Sequence, residues 1–161
     1  MTFEIDAKRG VASHYGVRTT NGKFGGQQNS STILKSAIWD FSYDDLPAAG
    51  TNGLQFVIPA NATIVSAVLY VDVAFTSTST TTDLAIGLAT SAGAEIDLDG
   101  LLTAANSSQT TIAVENSTIT GSGALVGKGI GAAAGELVVT PTANDLLTGK
   151  GRIVVQYVYN K

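Results

Sequence analysis

Cysteine is absent from the 161 residues, which excludes disulfides, thiolate metal sites and cysteine nucleophiles together. Charge is scarce too: Asp, Glu, Lys and Arg make up 14% of the chain, against about 25% in ordinary soluble domains. The surface must therefore lean on hydroxyls and small side chains. Such a surface has little to hold copies apart, so large parts of it are expected to be covered in an assembly. Long apolar runs are missing as well. The longest, residues 64–75, is interrupted by Ser66 and Asp72, well short of the roughly eighteen residues a membrane helix needs. The opening "MTFEIDAKRG" mixes acids with bases and carries no apolar core, which excludes a secretory signal. The expectation is a soluble chain made in a cytoplasm.

No helix-length 3.6 periodicity and no fixed repeat appear, which argues against α/β enzyme folds. The chain is instead uneven in charge. Residues 1–35 hold Lys8, Arg9, Arg18, Lys23 and Lys35 against Glu4 and Asp6, a formal +3, and the remainder is a formal −7. The stretch "ASHYGVRTTNGKFGGQQNSS" at 12–31 contains the single histidine and four glycines, with almost no aliphatic residue after Val17. An arm over 1–35 followed by a body over 36–161 is the division this pattern predicts. The alternative is a long first loop and edge strand of the body.

The body alternates with period two, the mark of strands buried on one face. Ala37, Trp39, Phe41 and Tyr43 share a side; so do Leu54, Phe56 and Ile58, and then Ala67, Leu69, Val71, Val73 and Phe75. In the third of these, Tyr70 faces the other way and is expected to be exposed. Further strands are expected at "DLAIGLA", 110–114, 117–120, 124–126, "ELVVTPT" and "GRIVVQYVY", the last with Ile153, Val155, Tyr157 and Tyr159 inward. "SAGAEIDLDGLLTAANSS" reads as a short helix or loop opened by Asp97 or Asp99. Eight or nine short strands predict an all-β, antiparallel β-sandwich, jelly-roll-like.

Catalytic sets fare poorly. Only His14 could serve a serine nucleophile as base, and "GxSxG" is absent. Asp44 with Asp45, or Asp97 with Asp99, are the only acid pairs to weigh for glycoside hydrolysis. "YDDLP" more naturally ends a strand, and "EIDLDG" lacks the further acidic ligands of a calcium loop. "GSGALVGKG" at 121–129 misses the phosphate-loop pattern by one residue of spacing, and Gly129 stands where Ser or Thr is needed. The sequons at Asn29, Asn61, Asn106 and Asn116 follow from composition, and an acidic chain is a poor nucleic-acid binder. No catalytic residue, metal or cofactor is expected.

The run "IWDFSYDDLPAAGTNGLQFVIPANATIVSAVLYVDVAF", followed by "DLAIGLA", "IDLDGLLTAA" and "GKGRIVVQYV", resembles the capsid decoration (cement) proteins of tailed bacteriophages over about residues 38–158. That resemblance implies a non-enzymatic virion protein on the capsid outer surface. It would bridge major capsid protein subunits, form a homo-oligomer, often a trimer, and be made in the host bacterial cytoplasm. It implies neither nucleic-acid nor membrane partners. On this footing Arg9, Arg18 and Lys23 would pair with capsid carboxylates, Tyr15 and Phe24 would anchor, and His14 would lie in the same contact. Gly16, Gly22, Gly25 and Gly26 would let the arm follow a contour. The rival expectations are a fibre, tail-associated or carbohydrate-binding sandwich module, and an enzyme using an acid pair.

Overall fold

The structure, a computed structural model, describes residues 34–46, 52–78, 82–141 and 146–159 and two short strands at 13–14 and 28–29. Those short strands are β1 (Ser13–His14) and β2 (Gln28–Asn29). The longer ones are β3 (Leu34–Ser42), β4 (Asn52–Ile58), β5 (Thr63–Ser77), β6 (Leu84–Ala89), β7 (Glu95–Leu102), β8 (Ser117–Thr120), β9 (Gly135–Pro141) and β10 (Leu146–Val158). One sheet runs β1-β2-β3-β10-β5-β8 and the other β4-β9-β6-β7, with antiparallel pairing throughout. From β3 to β10 every connection passes from one sheet to the other, except the β6–β7 hairpin. Eight strands so wound are a jelly roll, the expected architecture.

Register explains the core. Ile153 of β10 lies between Trp39 of β3 and Leu69 of β5, and Leu69 in turn faces Ile119 of β8. The next inward row is Ala37, Val155 and Ala67. The opposing sheet contributes Leu84, Ile86, Leu88, Leu137 and Val139, all buried. Trp39 stacks on Phe41 at 4.4 Å, and Phe41 on Phe75 at 5.6 Å, adding to the area that the rings bury. Phe75 has room because Gly149 sits at φ 138° with its α-carbon under the ring: a Cβ there would come within 2.0 Å of Phe75 Cδ1.

Several strand expectations need correction. Glu95–Leu102 is a strand, not a helix or loop. Its hairpin turn is closed by Thr90 N–H to Ala94 O at 2.7 Å and Gly93 N–H to Thr90 O at 2.8 Å, with Gly93 at φ 79°. The chain thus reverses straight from β6 before Asp97 is reached. Residues 110–114 are not a strand: Gln109–Ile112 forms the one-turn helix α1. Hydroxyl bonding overrides the β-branched run there, since Thr111 Oγ1 donates to Ser108 O and Asn106 O. Residues 124–126 form a turn, with Leu125 N–H donating to Gly100 O. Tyr43 leaves the strand for a 3-10 turn, Tyr43–Asp45. Val73 is 40% exposed because β5 is bulged against β10 between Val71 and Thr76, which breaks the period-two phase.

Of the expected lead 1–35, the described parts join the six-stranded sheet. Asn29 pairs with Ser36 and Gln28 with Ala37, while Ser13 and His14 pair with Asn29 and Gln28. The rest of the lead lies outside the described residues.

Candidate binding surface

The outer face of the β3-β10-β5-β8 sheet is laid out by the same register. One row across it reads Asp40, Arg152, Tyr70, Thr118, and the next Ile38, Val154, Val68, Thr120. A third is Ser36, Gln156, Ser66, closed by Ser66 Oγ donating to Gln156 Oε1 at 3.0 Å. A half-buried aliphatic row therefore lies between two polar ones, extended by exposed Leu34, Tyr70 and Val73. Arg152 Nε donates to Asp40 Oδ1. That bond, and then the Asp40 charge, raises the guanidinium pKa. With both side chains about half exposed, the pair contributes at most about 1 kcal/mol. An apolar strip inside a polar rim is the layout of a modest protein interface.

The acid pairs serve the fold. Asp45 Oδ2 accepts from Ser42 N–H at 2.9 Å and from Ser42 Oγ at 2.8 Å, closing the turn after β3. Asp44 takes the Tyr43 hydroxyl as a hydrogen-bond donor, and that bond and the Asp44 charge raise the phenol's pKa. Asp97 and Asp99 sit two apart on one strand, not on facing strands. Burial raises the Asp97 pKa first, then a shared hydrogen bond with Asp99, then the charges of Asp99 and Glu95; the Asp99 backbone N–H opposes them. Among the described residues no three His, Cys, Asp or Glu side chains are grouped to hold a metal.

The glycine-rich segment 121–131 is structural. Its N–H groups are spent on the chain's own carbonyls: Gly121 on Ala67, Gly123 on Leu101, Leu125 on Gly100, Gly127 on Ile64 and Ile130 on Ala62. None of these remains to cradle a phosphate. Asn61 and Asn116 occupy left-handed turns at φ 62° and 58°, which Asn tolerates better than other side-chain-bearing residues. Asn106 Oδ1 accepts from Thr103 and Ser122.

Of the residues expected to meet a partner, His14 lies on β1 opposite Gln28. Arg9, Tyr15, Arg18, Lys23 and Phe24 lie outside the described residues. Tyr70 is exposed as expected, whereas Trp39 and Phe41 are buried, which removes them from any sugar-stacking platform. The aliphatic row at Ile38, Val68 and Val154 was not anticipated. Its signal was present: each is an apolar residue at a position where alternation calls for a polar one.

Solved structures share this fold, among them chains of two phage capsids. A chain of the structure entitled "Capsid of Ralstonia phage GP4" superposes with a TM-score of 0.57 at 21% identity, covering 80% of this chain and 85% of that one. A chain of "Cyanophage Pam1 capsid asymmetric unit" does so with a TM-score of 0.50 at 16% identity, covering 90% and 94%. No family model matches the sequence, and no curated protein is similar to it. The chain is thus a jelly-roll domain with the fold of chains found in phage capsid structures.

Proposed function

We propose that this protein is a non-enzymatic structural protein of a phage virion, seated on the outer surface of the capsid, where it bridges major capsid protein subunits and stabilises the shell. The observation that carries this reading is the fold shared with chains of two phage capsid structures along most of the chain. The low charge and the aliphatic row on the outer sheet face support it, because both suit a surface that is covered in an assembly. In this reading the basic residues of the lead, Arg9, Arg18 and Lys23, meet shell carboxylates, with His14, Tyr15 and Phe24 in the same contact. The protein is made in the bacterial cytoplasm and assembles onto the head as an oligomer.

The test is its amount in purified particles relative to the major shell protein. A ratio near one to one, with heat resistance lost on stripping and regained on adding the protein back, is the expected result. A few copies per particle would place it at a vertex or tail instead, and absence from particles would remove the virion role.

A further inference from the structure

The six-stranded sheet ends at β8, and that edge is built unlike the acidic edge of its neighbour. The other sheet ends at β7, whose Glu95, Asp97 and Asp99 repel a second strand. β8 reads Ser-Thr-Ile-Thr, with neither charge nor proline. Gly121 N–H donates to Ala67 O, so by antiparallel alternation Ile119 is bonded to β5 while Thr118 and Thr120 turn their backbone N–H and C=O groups to an edge that no strand covers among the described residues. Beside that edge lies a shallow groove lined by Thr110, Thr111 and Val114 together with β8. Val114 is 52% exposed. An extended segment with apolar residues at every second position would complete both the ladder and the groove.

The chain carries one such segment. In residues 2–8, "TFEIDAK", Phe3, Ile5 and Ala7 alternate with Thr2, Glu4, Asp6 and Lys8. It cannot reach its own β8. β1 starts at Ser13, at the opposite end of the sheet and five strand spacings away, which is roughly 24 Å. The five residues from Lys8 to Ser13 span at most about 18 Å. We propose that residues 2–8 of one copy add as a strand to the β8 edge of a second copy, with Phe3, Ile5 and Ala7 over Val114 and the α1 threonines. Repeated head to tail, this contact joins copies in series, into a ring where the rotation between neighbours closes.

The absence of cysteine makes the test clean. Two single variants, Glu4→Cys and Thr118→Cys, one of them carrying a size tag, are mixed and oxidised. The expected product is the mixed covalent dimer, and the untouched full-length protein sediments as an oligomer. Removing residues 2–8, or Phe3→Asp with Ile5→Asp, yields folded monomers with one cooperative melt whose midpoint, unlike that of the oligomer, does not depend on protein concentration. Thr118→Pro, which removes an outward N–H and leaves the β5 ladder intact, does the same. A monomeric wild-type protein overturns the proposal. So does an oligomer that survives loss of residues 2–8, or a mixed dimer that fails to form also with Thr120→Cys. These readouts use the isolated protein, so they stand apart from the particle ratio.

Discussion

At the scale of the residue, Asp97 is, among the described residues, the carboxylate whose setting works against its charge. Burial and then Asp99 raise its folded pKa above the unfolded value, which is about 3.9. Between those two values the folded state holds more protons than the unfolded one, so stability falls as pH rises through that window and is gained on acidification. Asp97→Asn keeps the oxygen that accepts the Asp99 N–H at 3.4 Å and removes the charge. Denaturant titrations across the acid range are expected to show a flatter pH profile for the variant, and higher stability than wild type at neutral pH. An identical profile would mean that water and salt already screen the pair. Side-chain chemistry of this kind was only partly legible: "EIDLDG" advertised an acid pair, but not that the two would share one strand of a hairpin.

Among the elements, the segment 121–131 ties the two sheets together, bonding to β5 on one side and β7 on the other. Two of its glycines do different work. At Gly123 a Cβ would meet Gly100 C at 2.3 Å and Asp99 O at 2.4 Å, backbone atoms that cannot step aside, whereas at Gly127, φ 82°, it would meet nothing within 4 Å. Gly127→Ala is therefore expected to cost about 1–2 kcal/mol, the left-handed backbone alone. Gly123 has no left-handed φ, and Gly123→Ala costs instead the displacement of the β7 backbone, about 3 kcal/mol, the upper end for overpacking. Thermal melts of the two variants side by side check the order; equal losses would mean that β7 yields freely. β3, β10 and β5 up to its bulge were legible in the sequence because one buried face imposes a period of two, whereas β6, buried at every position, showed itself by large residues alternating with small ones. The stretches misread, 95–102, 110–114 and 124–126, are settled by a tight turn, by hydroxyl bonds and by glycine contacts between distant backbones. None of those leaves a local periodicity.

The whole molecule is divided in charge, a basic lead of +3 against a body of −7, and the proposed contact with the shell inherits that division. An acidic body gains nothing by approaching shell carboxylates, so Arg9, Arg18 and Lys23 must supply the attraction, while the aliphatic row of Ile38, Val68 and Val154 supplies burial. Exposed ion pairs contribute up to about 1 kcal/mol each, so replacing all three basic residues by Ala is expected to weaken add-back onto stripped particles by about tenfold to a hundredfold. The melting temperature of the free variant is measured beside it, so that lost add-back with an unshifted melt is read as a lost contact rather than a lost fold. Raising the salt in wild-type add-back should reproduce the loss, since such pairs are screened within about 10 Å at 0.1 M. The complementary variant Val154→Asp places a charge in the middle of the aliphatic row and leaves the lead intact. If it abolishes add-back at every salt concentration while the triple variant binds normally, the sheet face carries the contact and the lead does not; the reverse pattern assigns the contact to the lead.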